Sequence, residues 1–247
     1  MTLLDVQAVE KSFGNIKAVD GIDFQVDQGT VVGIIGPNGA GKTTFVNLLT
    51  GTLGLDGGSI QFDGTDISQQ TTYERAGYGL VRSFQIPQVC LDLSVFENVR
   101  VAILSREQKN SSLLTSLSSE EESKEEAMRL LEQFDLADKA EQTVDEITHG
   151  DRKILDVCAS IAMQPKLIIL DEPTSGVASG QQRDMMDQLM TQMRQKGLTV
   201  IFISHDMELI TDYSDYVMAM SRGQKLVEGE PANVLEQEAV KEQIRGE

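Results

Sequence analysis

The sequence VVGIIGPNGAGKTT spans residues 31–44 and joins a short apolar run to a glycine-rich loop that ends in lysine and threonine. The loop matches the spacing G-x-x-x-x-G-K-[ST], with an apolar strand before it and a helical stretch after it. Glycines let backbone N–H groups converge on phosphate oxygens, Lys42 adds a full positive charge, and the Thr43 hydroxyl is a suitable Mg²⁺ ligand. The alternative is a glycine-rich turn that binds nothing, but the flanking strand and helix favour a nucleotide site. The residues expected to bind the phosphates are Gly36, Pro37, Asn38, Gly39, Ala40, Gly41, Lys42, Thr43 and Thr44.

Another apolar run, residues 167–170, ends in two carboxylates, Asp171 and Glu172. Carboxylates at the end of a buried strand are costly unless a cation lies nearby, and Mg²⁺ bound by Thr43 is the natural candidate. We expect Asp171 to hold that ion through its water shell and Glu172 to orient and deprotonate the attacking water. The alternative is an acidic pair that a helix N-terminus favours. His205 follows a third apolar run, at a strand end where α/β proteins place their ligands, and is a candidate γ-phosphate contact. The alternative is a structural histidine whose hydrogen bonds are satisfied within the fold.

The periodicity of apolar residues predicts an α/β fold. A mainly parallel core sheet is predicted from β-branched runs at residues 31–35, 167–170, 199–203 and 216–220, with a helix at residues 181–196. An antiparallel β layer is predicted from residues 3–9, 22–26 and 59–62.

We expect one domain over residues 1–247, with a helical subdomain inserted at about residues 87–160. Residues 106–119 are rich in Ser, Leu and Gln without a clear period, which predicts a connecting loop. Ser119 and Glu122 have the spacing of a capping box, which predicts that a helix begins there. A single amphipathic helix is expected from Pro231 onward.

The charge balance excludes some partners. There are 39 acidic and 21 basic residues, a net charge of −18, whereas binding to duplex nucleic acid needs a basic surface. No run approaches the roughly 18 to 20 apolar residues that span a bilayer. The first five residues lack the pattern of a secretory signal, so we expect a cytoplasmic location.

These motifs together resemble the nucleotide-binding subunit of an ATP-binding cassette (ABC) transporter, over almost the whole chain. The resemblance implies an ABC cassette of the P-loop NTPase class, which binds ATP and Mg²⁺ and hydrolyses ATP. Gln85 resembles the family's Q-loop glutamine, which contacts Mg²⁺ and the membrane subunit, and His205 resembles its switch histidine. The implied catalytic residues are thus Glu172, His205 and Gln85. Phe13, with Ala18 just after it, resembles the aromatic residue that stacks on adenine.

Two segments depart from the family pattern. Two cassettes of this family sandwich two ATP molecules, each held by one phosphate loop and by the opposite subunit's signature motif. The signature segment here consists of Thr148, His149, Gly150 and Asp151, which would act in trans, and Asp151 replaces the usual glutamine. A negative charge near a bound anion is expected to weaken that contact. Ala178 stands where the D-loop, residues 175–178, usually ends in aspartate.

Residues 79–85 (GLVRSFQ) and 93–99 (LSVFENV), with the terminal segment around residues 240–246, resemble the branched-chain amino acid importer branch. The resemblance implies an ATPase subunit that powers import of such an amino acid or a related solute through separate membrane permease subunits. It would lie on the inner face of the cell membrane and act indirectly with a solute-binding protein. Unequal signatures favour a heterodimer with a second ABC ATPase subunit, and a homodimer is the other arrangement.

Two other functions remain open. The chain could be mainly a regulatory ATP-binding partner in a heterodimeric pair, which Asp151 and Ala178 favour and Glu172 opposes. It could also be a non-transport ABC ATPase, although its net charge of −18 opposes contact with nucleic acid.

Overall fold

The computed structural model describes residues 1–83, 85–110 and 117–245. Parts of three predicted features lie outside the described residues: Phe84 next to the candidate Gln85, residues 111–116 of the predicted loop, and Gly246 of the C-terminal segment. The strands of the described residues are β1 (Thr2–Phe13), β2 (Ile16–Asp27), β3 (Val31–Ile35), β4 (Gly57–Phe62), β5 (Thr65–Asp66), β6 (Leu80–Ser83), β7 (Leu167–Asp171), β8 (Thr199–Ile203), β9 (Tyr216–Ser221) and β10 (Gln224–Gly229). The helices are α1 (Lys42–Leu49), α2 (Thr72–Tyr78), α3 (Val95–Asn110), α4 (Leu117–Gln133), α5 (His149–Ala162), α6 (Ser179–Gln195), α7 (Met207–Tyr213), α8 (Pro231–Leu235) and α9 (Glu238–Arg245).

A six-stranded sheet with the order β10-β9-β3-β8-β7-β6 forms the core. Its neighbouring strands from β9 to β6 are parallel, and only β10 runs antiparallel to its neighbour. Every residue of β3, β7 and β8 is buried, as expected for apolar, β-branched strands covered on both faces. The predicted parallel strands are therefore confirmed. Because β3, β8 and β7 are adjacent, the segments that follow them meet at one edge of the sheet.

The predicted antiparallel layer is also confirmed, as a four-stranded sheet with the order β2-β1-β4-β5. Its strands β1 and β2 are longer than the sequence pattern indicated, with 12 residues each, and form a hairpin in which Phe13 pairs with Ile16. The layer shares a core with helix α1, where the rings of Phe24 and Phe45 meet edge to face at 5.8 Å.

Helices α3, α4 and α5 lie between β6 and β7 and share an apolar core that includes Ile103, Phe134 and Leu155. The predicted loop at residues 106–119 is wrong at both ends, because α3 continues to Asn110 and α4 begins at Leu117, before the predicted start at Ser119. Long-range contacts override the local composition here. Arg106 donates hydrogen bonds to Glu126 of α4 and to the Ala162 carbonyl of α5, which fixes the end of α3.

Helix α6 confirms the prediction at residues 181–196, with a start two residues earlier. The C-terminal segment differs from the single helix expected, because it breaks between α8 and α9 at residues 236–237. Val234 and Val240 are both buried. Six residues apart on a continuous helix, they would point in directions about 120° apart, so the break lets both side chains face the core.

Candidate nucleotide site

A cavity lies where the segments after β3, β7 and β8 meet. Its volume of about 790 Å³ is within the usual size range of small-molecule sites. Most of the predicted site residues line it. From the phosphate loop (residues 36–44) they are Gly36, Asn38, Gly39, Ala40, Gly41, Lys42, Thr43 and Thr44, and from elsewhere Ala18, Gln85, Asp171, Glu172 and His205. The structure thus brings together residues that lie up to 187 positions apart in the sequence, from Ala18 to His205.

The phosphate loop has a backbone that requires glycine at two tightly packed positions. Gly36 has a φ of 149° and Gly41 a φ of 99°. A Cβ atom at Gly36 would lie 2.3 Å from the Met220 carbonyl oxygen, and one at Gly41 would lie 2.3 Å from the Ala18 carbonyl oxygen. The loop is therefore held between β2 and the end of β9, and both glycines are needed for this close approach.

Lys42 is the first residue of α1, and its ammonium group lies over the phosphate loop. The Nζ atom donates hydrogen bonds to the carbonyl oxygens of Gly36 and Pro37, the latter at 3.0 Å. Pro37 itself is not among the described residues that line the cavity. The lysine charge is thereby fixed beside the loop amides, where the N-terminal end of α1 adds a partial positive charge. The arrangement suits a phosphate group.

Asp171, the last residue of β7, is buried and forms an ion pair with Arg82 of β6. Arg82 also donates a hydrogen bond of 2.6 Å to the Asn47 side chain on α1. From the sequence, the cation expected beside Asp171 was Mg²⁺, and Arg82 was not predicted. A charged residue inside a short apolar strand could have indicated this partner, but strand β6 itself was not predicted. Asp171 therefore has a protein partner before any metal is considered, which limits a direct metal contact.

Glu172 follows β7 directly and has a φ of 51°, a left-handed conformation that is uncommon for residues other than glycine. Its Oε2 atom lies 2.9 Å from Nδ1 of His205. Burial raises the pKa of the Glu172 carboxyl and the Asp171 charge acts in the same direction, while His205 partly offsets them. A carboxylate with a raised pKa is a better proton acceptor at neutral pH, and His205, mostly exposed, is free to reach a ligand in the cavity.

The part of the cavity that was expected to bind adenine differs in part from expectation. Phe13 is half-exposed at the end of β1 and is not among the described residues that line the cavity. Its hairpin partner Ile16 does line the cavity, together with Lys17 and Arg222. Sequence reasoning missed these three residues, because nothing in their local sequence shows that the β1–β2 hairpin and the β9–β10 turn reach the same cavity.

The signature segment lies at the N-terminus of α5, and its four residues are not among the described residues that line this cavity. Thr148 caps α5: its Oγ1 accepts the Asp151 N–H at 3.1 Å and donates to the Asp151 carboxylate at 2.7 Å. Lys139 pairs with that carboxylate at 2.8 Å. Partial burial acts to raise the pKa of Asp151, but the bonds from Lys139 and Thr148 outweigh it and the pKa is lowered. The substituted residue is therefore charged, but its charge is compensated within the chain.

The D-loop contacts the signature segment of the same chain. A Cβ atom at Gly176 would lie 3.0 Å from Nε2 of His149, so the imidazole packs directly on the D-loop backbone. Ala178 is the N-cap residue of α6 and makes no side-chain cap bond. Glycine at position 176 leaves room for this contact.

The described residues contain no helix that is both long and apolar enough to cross a membrane. The family model for ABC transporters matches residues 19–175. The chain is 34% identical to the probable branched-chain amino acid transport ATP-binding protein LivG of Methanocaldococcus jannaschii, covering all of this chain and 98% of that protein. It is 32% identical to the high-affinity branched-chain amino acid transport ATP-binding protein BraF of Pseudomonas aeruginosa, covering 94% of this chain and 93% of that protein.

Solved structures give the same result. A crystal structure of an ATP-binding cassette of an ABC transporter in its ADP conformation superposes with a TM-score of 0.87 at 32% identity, covering both chains fully. A nucleotide-free cassette superposes with a TM-score of 0.85 at 32% identity, covering 99% of each chain. The family match, the identity to transport ATP-binding proteins and the geometry of the cavity agree. The chain belongs to the ABC transporter family, as a domain that binds and hydrolyses ATP.

Proposed function

We propose that this chain powers import of a branched-chain amino acid or a related solute through separate membrane permease subunits. The observation that carries the proposal is the convergence of Lys42, Asp171, Glu172 and His205 in one cavity, at the edge of a sheet where α/β proteins bind ligands. The solute class is supported by the names of full-length relatives at 34% and 32% identity.

In this proposal the phosphate loop binds the nucleotide phosphates, with Lys42 as its charged group. Glu172 accepts a proton from the attacking water, which its raised pKa favours, and His205 holds the Glu172 carboxylate in position while contacting the γ-phosphate. Phe13 and Ala18 would contact the base. The helices between β6 and β7 support a helical subdomain at about residues 87–160 within the single domain of residues 1–247.

The residues present fit a Mg²⁺ ion. Thr43, Gln85 and Asp171 line the same cavity and supply the oxygen atoms that Mg²⁺ prefers, while water and substrate phosphates complete its usual shell. Because Arg82 already pairs with Asp171, the carboxylate would hold the ion partly through water. When bound, Mg²⁺ would neutralise charge on the phosphate oxygens.

We infer that the chain acts as one half of a dimer of cassettes, with the signature segment contacting the nucleotide of the partner. Ala178, which lacks the D-loop carboxylate, supports a heterodimer with a second ABC ATPase subunit over a homodimer. Permease subunits would hold the pair at the inner face of the cell membrane, and a solute-binding protein would act indirectly through them. The same substitution favours a second candidate function, a mainly regulatory ATP-binding partner.

The test is to co-purify the chain with its permease subunits and second ATPase subunit and to measure ATP hydrolysis with each candidate solute and its binding protein. We expect stimulation by one class of solute, and loss of that stimulation in Lys42→Ala but not in the exposed control Lys196→Ala. Turnover measured separately at each ATP site distinguishes the regulatory function, which predicts little hydrolysis at this chain's own site. Hydrolysis unaffected by every solute contradicts the import proposal.

A further inference from the structure

Helix α5 carries two buried charged residues on one face. Lys153 is 4% exposed and Asp156 is 6% exposed, and their spacing of three residues places them one turn apart. A buried charge is costly unless it is partnered, so the partners of these two residues show what the helix face is for. Both bond to segments of the nucleotide site.

Lys153 bonds to the backbone of the proposed base. Its Nζ atom donates to the Glu172 carbonyl oxygen at 2.9 Å and to the Ser175 hydroxyl at the start of the D-loop at 3.2 Å. The Glu172 N–H donates on the other side to the Ile203 carbonyl of β8 at 3.1 Å. The unusual left-handed backbone of Glu172 is therefore held between α5 and the core sheet, as such conformations require.

Asp156 bonds to both sides of the segment that carries Gln85. One carboxylate oxygen accepts the Ser83 hydroxyl at the end of β6, and the other accepts the Gln88 N–H at 2.9 Å. Gln85 lies between these two anchor points and is itself exposed in the cavity. One aspartate thus fixes where the segment leaves the sheet and where it rejoins the helical part.

We propose that Lys153 and Asp156 are positioning residues for ATP hydrolysis, which hold Glu172 and the Gln85 segment at fixed places relative to α5. The signature segment begins the same helix, so a displacement of that segment would be passed to both groups within one chain. The proposal rests on the proposed role of Glu172 as the base. It predicts that both residues affect the rate of hydrolysis and not the affinity for ATP, because the phosphate loop, which would bind ATP, is held between β2 and the end of β9.

The experiment compares Lys153→Met, Lys153→Arg and Asp156→Ala in the full chain, with the exposed Lys196→Met as the control. ATP affinity is measured by equilibrium binding and hydrolysis by single turnover. We expect Lys153→Met and Asp156→Ala to lower the hydrolysis rate about tenfold or more while ATP affinity changes less than about twofold. Lys153→Arg keeps a donor and a charge, so it should restore most of the rate. A rate equal to that of the control, or a loss of ATP affinity equal to the loss in rate, overturns the proposal.

A double-mutant cycle separates this proposal from the one it rests on. If Lys153 acts through Glu172, Lys153→Met should cause little further loss in a Glu172→Gln background, and a full additional loss shows that it acts independently. Wild-type hydrolysis in Glu172→Gln alone contradicts the base assignment. The rate and affinity of Lys153→Met would then show only whether Lys153 affects hydrolysis by a route other than Glu172. If Lys153→Met fails to fold, amide exchange at Gln88 in Asp156→Ala still tests the second anchor, since loss of its acceptor should accelerate exchange.

Discussion

The ion pair between Lys139 and Asp151 should stabilise the N-terminus of α5 measurably. Its atoms are 2.8 Å apart and the two side chains are 29% and 14% exposed, so the pair is only partly shielded from water. A hydrogen bond to a charged group contributes about 1.5–3 kcal/mol, and a fully exposed pair about 0–1 kcal/mol. With a discount for the remaining exposure, we expect Lys139→Met to lower the free energy of unfolding by about 1–2 kcal/mol.

The assay is a double-mutant cycle by urea denaturation, with Lys139→Met, Asp151→Asn and the combined variant. Asp151→Asn keeps the size of the side chain and an oxygen for the Thr148 cap, so the cycle isolates the charge pair. We expect a coupling of about 1 kcal/mol. Additive effects, with a coupling below about 0.3 kcal/mol, would show that the pair contributes no stability and refute the reasoning.

The pH dependence gives a second check on the same pair. The bonds from Lys139 and Thr148 hold the pKa of Asp151 below the usual value of an aspartate, so the folded state favours the ionised form. Its contribution is complete above the unfolded pKa and is lost as the pH falls through the folded value. The difference in stability between wild type and Asp151→Asn should therefore be constant from pH 7 to about pH 5 and shrink below about pH 4.

Four further outcomes follow from the nucleotide site. Lys42→Ala should weaken ATP binding by at least about tenfold in an equilibrium assay, because the charged group of the phosphate loop is lost; unchanged affinity contradicts the assignment. Glu172→Gln should bind ATP normally and lower the hydrolysis rate by about 10²–10⁴-fold in single turnover, since the proposed base is removed. Because burial raises the pKa of Glu172 and the proposed base must be deprotonated, the rate should begin to fall at a higher pH than the ordinary pKa of a glutamate, and a rate that stays constant down to that ordinary pKa opposes the assignment. Gly41→Ala places a Cβ atom 2.3 Å from the Ala18 carbonyl oxygen, so it should abolish ATP binding, whereas Gly54→Ala, with open space around the position, should not.

The sequence predicted the part of the site that is local in the chain. The phosphate loop, the strand before it and the two carboxylates at the end of β7 each occupy one continuous segment whose chemistry is evident without tertiary structure. The parallel strands were predictable because strands buried on both faces have apolar residues without alternation.

Contacts between distant segments could not be predicted in the same way. Arg82 meets Asp171 across 89 positions, and Arg106 ties the end of α3 to Glu126 across 20, so neither pairing leaves a local pattern. The loop expected at residues 106–119 failed for this reason: its composition favours no regular structure, while packing against α4 and α5 makes its first part helical. The contacts of Lys153 and Asp156 could not be predicted for the same reason, because in the sequence these residues are only two charges on an amphipathic helix.

The pairing of Asp151 also changes the case for unequal ATP sites. From the sequence, Asp151 and Ala178 were two independent reasons to expect a weakened signature and a heterodimer. Lys139 and the Thr148 hydroxyl compensate the Asp151 charge, and the helix N-terminus of α5, with its partial positive charge, would still face a partner's phosphate. The signature segment therefore retains a favourable electrostatic environment for an anion, and Ala178 in the D-loop is the substitution that still favours unequal ATP sites. Asymmetry in turnover should thus follow from the loss of a D-loop carboxylate, and not from repulsion between Asp151 and the bound nucleotide.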